Sequence, residues 1–444
     1  MGRRTMTTLP RGHRGGGGII SSRYLTALSF ALVMSLSIAL AQVQVDYWTH
    51  EDPNRTALEE QLIAQFQAEN PGITINRVTH PSNALAQLVL TAFAANRGPD
   101  IFNLEIFNEY PYIVNQRVAP VDPVAAGFGS YDAFYAAYLD GMLDPVTVDG
   151  QPYGIPLELT NWAIFLNMNV FRDAGLDPLT DYPKTWEEMI EIADLLTLRD
   201  GEIITRRGFD FRYPYYLNFM VPMAEQLGGQ LIGDDGVSAI VGDEAWLRVL
   251  AYFREWGPHG RNLGGPTYAN ARALFNFDNN DIGMMESGQY QIARIANDNP
   301  GFLPAEGWMV IPFPVWEDAV EDLAGAYYGH YWMVNAQSSA DKQEAAWKFI
   351  GYMTQFAEEF FDRAGLLQAS QAVLDSDTFK NHPYSDVFMA DLARAPAIYY
   401  GDASPQIKQV LQDAVEAVML QNREPAEVLV TMREGVERAL RGEY

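Results

Sequence analysis

The chain has 444 residues, with 30 Lys and Arg against 57 Asp and Glu, a formal charge of -27, and no cysteine. Hydrophobic cores stop growing at roughly 250–300 residues, so a chain of this length is expected to fold as at least two domains. The lack of cysteine excludes zinc-thiolate, iron–sulfur and disulfide chemistry, and the surplus of carboxylates opposes binding to nucleic-acid phosphates and to anionic membranes.

Residues 1–41 differ from the rest. They carry Arg3, Arg4, Arg11, Arg14 and Arg23, no acid, and an apolar run from Leu25 to Leu40. That run is shorter than the roughly 20 residues a spanning helix needs, and it ends in Ala39-Leu40-Ala41, the small residues that a leader peptidase reads. A signal peptide over 1–41, cleaved before Gln42, is therefore expected, with export to the periplasm. No cysteine follows the run, so a lipid anchor is not expected, and losing this basic segment leaves a still more acidic chain.

After the leader, strands and amphipathic helices alternate. Val43, Val45 and Tyr47 form one strand face, and Leu58, Leu62 and Phe66 recur at helical spacing until Asn70-Pro71-Gly72 stops the helix. Ile73 and Ile75 start the next strand, which predicts a parallel βαβ opening. Thr185 followed by Glu188 is a capping-box pattern ahead of an apolar stripe at Trp186, Met189, Ile190, Ala193 and Leu196. Ser404-Pro405 reads as an N-cap and first-turn proline, and Pro425 opens a final helix. Short apolar runs at 162–166, 282–285, 308–311 and 332–334 read as buried strands. No linker or repeat divides the chain, so it is expected to pass between its two α/β domains more than once.

Two sets of residues could carry chemistry. Aromatics cluster at 209–219 and at 327–332; each fills a core or stacks on the apolar face of a sugar ring. Polar residues follow strand ends: Trp48, His50 and Glu51; Glu105 and Asn108; Glu158, Thr160 and Asn161. Ligands sit beyond the carboxyl ends of parallel strands, so these are cleft candidates or else solvated loops. The six histidines show no paired metal spacing, and no nucleophile elbow, phosphate loop or dinucleotide fingerprint is present, so neither metal nor cofactor is expected. A carboxylate pair of the kind a glycosidase uses cannot be singled out among so many acids.

The order of several motifs resembles the extracellular solute-binding proteins of ABC-type sugar importers, the family that includes maltodextrin-binding proteins. They are Phe66-Gln67-Ala68-Glu69-Asn70-Pro71-Gly72-Ile73, Gly98-Pro99-Asp100-Ile101, Gly150 to Pro156 with Asn167, Lys184 to Glu188, Leu227-Gly228-Gly229, Gly283-Met284-Met285, Ala345 to Ile350, and Gly365-Leu366-Leu367. The resemblance implies a two-lobed periplasmic-binding-protein-like α/β fold of type II. Each lobe would be a mainly parallel sheet flanked by helices, and a hinge of several strands would join them. Residues 42–156 with about 310–355 would form one lobe, and 157–309 with about 356–444 the other. It also implies a monomeric receptor, with no catalysis, that holds a carbohydrate between its lobes and presents it to the permease.

Carried over by position, the ligand contacts would be Trp48, His50, Glu51, Glu105, Asn108, Glu158, Thr160 and Asn161. The second lobe would add Asn218, Phe219 as a stacking aromatic and Tyr290, and the first lobe His330 where relatives often have tryptophan. The family's usual proline after Gly365-Leu366 is absent, with Leu367-Gln368 in its place. An acidic, amide-rich contact set favours a neutral polyhydroxylated ligand. Another solute (a polyol, a glycerol phosphoester or a peptide) would be the alternative, with Arg212, Arg272 and Arg363 the cations to watch for an anion. An exported glycosidase or a metal receptor using His50 are further alternatives.

Overall fold

The computed structural model describes residues 42–211, 217–264, 271–277, 279–397 and 399–443. The expected leader, Arg212 and the aromatics Tyr213, Tyr215 and Tyr216 lie outside the described residues.

Ten strands make two five-stranded sheets. In chain order they are β1 (Val43–His50), β2 (Ile73–His80), β3 (Ile101–Glu105), β4 (Ile155–Asn161), β5 (Ala163–Asn167), β6 (Leu198–Asp200), β7 (Ile203–Asp210), β8 (Ile282–Ser287), β9 (Trp308–Ile311) and β10 (Tyr327–Val334). The first sheet runs β2-β1-β3-β10-β4 and the second β9-β5-β8-β7-β6. The expected opening is present: β1 pairs in parallel with β2, Val43 opposite Ile73, and also with β3. Both sheets are mixed rather than mainly parallel. In the first, β10 returns from the second sheet and lies antiparallel to both β3 and β4. In the second only β7 and β8 are parallel, because β5 enters directly from the first sheet and pairs antiparallel with β8 and β9.

The two sheets explain the repeated crossing. Trp162 alone separates β4 in one sheet from β5 in the other. The chain returns between β9 and β10, and after helices Ala340–Thr354 and Ala357–Ala364 it runs beside β4, where the Leu159 amide donates to the Leu367 carbonyl at 2.7 Å. The sheet boundaries thus fall at Trp162 and within 312–326, whereas the sequence places the divisions near 156 and 310.

Local chemistry sets the helix ends. The Asp52 side chain caps helix Pro53–Glu69 by accepting from the Arg55 amide at 3.0 Å, and Leu58, Leu62 and Phe66 bury one face against β1. The capping box at Thr185 and Glu188 forms in both directions ahead of helix Trp186–Leu196, whose five apolar residues are all buried. Ser404 differs from its expected role: it is already helical, as the first residue of Ser404–Met419, and its hydroxyl accepts from the Tyr400 amide at 2.8 Å. The preceding short turn Gly401–Ala403 moves the helix start back, so proline still occupies the first turn. Gly208 lets β7 lie directly on helix Trp186–Leu196, since a Cβ there would sit 1.9 Å from the Ala193 carbonyl oxygen.

Thr185→Ala removes one half of the capping box and should lower unfolding stability by about 1 kcal/mol. Urea denaturation checks this, and Thr185→Ser should restore most of the loss.

Candidate functional site

The first sheet gathers polar residues at one end. In the antiparallel register His330 of β10 lies opposite Glu105 of β3 on one side and Glu158 of β4 on the other. His50, the last residue of β1, reaches the same place: its ring stacks on that of His330 with centroids 4.0 Å apart and planes 23° from parallel. The Asn103 amide nitrogen donates to His50 Nδ1 at 2.7 Å, which leaves the ring proton of a neutral His50 on Nε2. Tyr328 Oη lies 3.0 Å from His330 Nε2. His330 Nδ1 and Asn103 Oδ1 are buried with no hydrogen-bond partner among the described residues.

Both imidazoles are held neutral. Burial is the main cause, taking His50 well below its ordinary value with help from Arg55 and the neighbouring His330. Burial likewise lowers His330 to about 3, against the opposing pull of Glu105. A charged ring here would be both desolvated and pressed against a second imidazole.

These residues face a cavity of about 440 Å³. The first sheet supplies His50, Asn103, Glu105 and His330, with Asn108 just beyond β3; the opposite wall is the start of helix Ser404–Met419, with Lys408, Gln409 and Gln412. That helix packs on helices Asp243–Trp256 and Leu217–Glu225, so the two walls come from the first sheet and from a separate layer of helices. An ion pair from Lys408 Nζ to Glu105 Oε2 at 3.3 Å crosses the cavity. Lys408 also lies over the Phe107 ring.

Further contacts lie nearby. Arg294, in helix Tyr290–Asp298 beyond β8, pairs with the buried Asp52 at 2.5 Å, and Asn297 donates to Asn54 at 2.7 Å. Burial works against the Asp52 carboxylate, but Arg294 and Arg55 outweigh it and hold the group below its ordinary range. The Gln289 amide donates to Thr160 Oγ1 at 3.4 Å.

The residues expected from sequence therefore divide. His50, Glu105, Asn108 and His330 share the cavity. Glu158, Thr160 and Asn161 are buried on the adjoining strand, where Glu158 lies close enough to Arg55 and Arg294 to raise both. Trp48 packs edge-on against His80, and Glu51 is exposed just past β1. Phe219 and Asn218 do not line this cavity: Phe219 is wholly buried, stacked on Phe313 at 6.0 Å and beside Trp162. Tyr290 is also outside it, under the Arg294 guanidinium at 4.4 Å and with Arg272 Nη1 3.4 Å from its hydroxyl. Arg363 is elsewhere, bonded to Gln61.

Sequence reasoning missed Asn103, Lys408, Gln409, Gln412 and the Asp52–Arg294 pair. The helix after Ser404 was legible from its apolar stripe, and its complementary polar face, with Lys408 and Gln412 one turn apart, was the available signal. Among the described residues no group of three His, Cys, Asp or Glu side chains is arranged to hold a metal ion.

Residues 52–355 match the sequence profile described as bacterial extracellular solute-binding protein. A Brucella abortus (strain 2308) relative named only as a binding protein is 24% identical over 384 residues, covering 83% of this chain and 86% of its own. The lactose-binding protein of Rhizobium radiobacter is 22% identical over 325 residues, 71% of either chain. An ABC transporter solute-binding protein of Thermotoga lettingae, solved bound with alpha-D-tagatose, matches with a TM-score of 0.78 at 20% identity over 90% of this chain and 100% of that one.

The depressed histidines predict a pH dependence. An unfolded histidine takes up a proton near pH 6.5, whereas folded His330 resists until about 3, so its contribution is complete above about 6.5 and is lost as pH falls toward 3. The melting temperature should fall on acidification below about 6.5, and less steeply in His330→Phe; equal slopes in the two proteins would contradict the assignment.

Proposed function

The chain belongs to the family of bacterial extracellular solute-binding proteins, and on that premise we propose that it is a periplasmic receptor that captures a neutral sugar between its lobes and delivers it to the permease of an ABC importer. The observation that carries this reading is the cavity itself: the first sheet and helix Ser404–Met419 face each other across it, and its polar groups are of the kind that pair with hydroxyls. Two neutral imidazoles and the side-chain amides of Asn103, Asn108, Gln409 and Gln412 each offer a donor, an acceptor or both. At about 440 Å³ it lies at the small end of the roughly 300–1,000 Å³ that ligand pockets span, which suits a mono- or disaccharide.

Charge supports a neutral ligand. The cations beside the cavity and its histidines are each engaged by an acid: Lys408 by Glu105, Arg294 by Asp52 and Arg55 by Glu59. A phosphoester would have to take one of them from its carboxylate. Two relatives, one named for lactose and one solved with tagatose, bind sugars, in line with the chemistry of this cavity.

Delivery follows from the same geometry. A solute that touches both walls favours the closed arrangement by its differential affinity for it, and the closed arrangement is what a permease can distinguish. Residues 1–41 are assigned as the cleaved leader and the remaining chain as a soluble monomer. Among the described residues no helix is long and apolar enough to cross a membrane. No catalytic step is assigned.

A panel of sugars and polyols screened by thermal shift tests the reading. The cognate ligand at a hundredfold excess over Kd should add about 2.7 kcal/mol of stability. His50→Ala and Gln412→Ala, one from each wall, should each weaken binding about tenfold or more. No shift with any sugar, or the release of new reducing ends from oligosaccharides, would overturn it.

A further inference from the structure

A second groove lies apart from the cleft, beside the core that packs on the first sheet. It has a volume of about 540 Å³ and shares no lining residue with the cavity under His330. One side is the segment from Ala126 to Tyr138; the other is the turn after Gly365, which carries Leu367-Gln368 where the family usually has a proline. The turn is tied down: the Leu139 amide donates to the Ala369 carbonyl at 3.1 Å, and the Gln371 amide to the Ala137 carbonyl at 3.0 Å.

Gln368 is the anomaly. It lines the groove and is completely buried, yet neither its side-chain oxygen nor its side-chain nitrogen has a hydrogen-bond partner among the described residues. Leaving both ends of a carboxamide unpaired in a core costs more than a leucine of the same shape would. Such a residue makes physical sense where something brings it a donor and an acceptor.

The lining says what kind of molecule does so. Among the described residues no lysine or arginine borders the groove, so an anion gains nothing there. The one acid among the described lining residues, Glu358, is exposed and accepts a hydrogen bond from Thr378, which leaves it a poor cation site. The rings of Phe128 and Tyr138, 6.1 Å apart and tilted, supply the apolar surface that C–H faces pack on. Hydroxyls donate and accept at one atom, which matches both ends of the Gln368 amide. We propose that this groove is a second binding site, separate from the cleft, for a small uncharged polyhydroxyl solute such as a sugar alcohol, with Gln368 as its polar anchor.

Sorbitol is the probe, and the full chain labelled with 13C at its alanine methyls gives the readout. Ala126, Ala137, Ala357 and Ala372 border the groove, and Ala86 borders the cleft cavity. Sorbitol should shift the four groove methyls saturably in the wild type and equally in His330→Phe. In Gln368→Leu the affinity should fall about tenfold or more, while the protein without sorbitol melts no lower than wild type. Absence of saturable groove shifts in the wild type, shifts confined to Ala86, or undiminished binding in Gln368→Leu would each overturn the proposal.

Discussion

One residue joins the two sheets at their closest point. Strand Ile155–Asn161 ends in the first sheet and strand Ala163–Asn167 begins in the second, with only Trp162 between them. A single residue cannot span a gap, so the edges of the two sheets must meet there. Trp162 is fully buried and packs against Tyr328 from one sheet and Phe219 from the other lobe. This junction ends the strand on which Glu158, Thr160 and Asn161 lie buried, with Glu158 opposite His330. Replacing Trp162 with a small residue would remove the shared packing of both lobes as well as local volume.

The charges near the cleft are arranged in compensating pairs. A chain with a formal charge of -27 could be expected to present a strongly negative cavity, yet Glu105 is met by Lys408 and Asp52 by Arg294. Between these pairs sit two imidazoles that burial keeps uncharged. The net effect is a polar, nearly neutral interior inside an acidic molecule. Both ion pairs also link the first sheet's end to helices outside it, with the carboxylates of Asp52 and Glu105 buried and the cations of Arg294 and Lys408 left partly exposed.

The fold was legible to the extent that local chemistry decides it. The stops at Asn70-Pro71-Gly72, the capping box at Thr185 and the stripes behind Leu58 and Trp186 are fixed by neighbours in sequence, and the structure follows them. Sheet polarity was not legible, because whether β10 enters parallel or antiparallel depends on where the chain last crossed. The same holds for the site. His50, Glu105 and His330 stand at strand ends and could be read off, whereas Lys408 and Gln412 reach the cavity from about 300 residues farther along the chain, as Lys408 does in its pair with Glu105. Phe219 shows the opposite failure: an aromatic at a plausible stacking position is taken up by Phe313 and Trp162 in the core. Gln368 was visible only as a missing proline, and its unpaired amide became apparent once the turn was folded against Tyr138.

The central claim is that solute binds between the stacked histidines and the start of helix Ser404–Met419. The most direct measurement is a crystal structure of the protein grown with the sugar that most raises its melting temperature. The account predicts density for that sugar in contact with His50 or His330 on one side and with Gln409 or Gln412 on the other. Density bound wholly outside that cavity, with both histidines untouched, would contradict it.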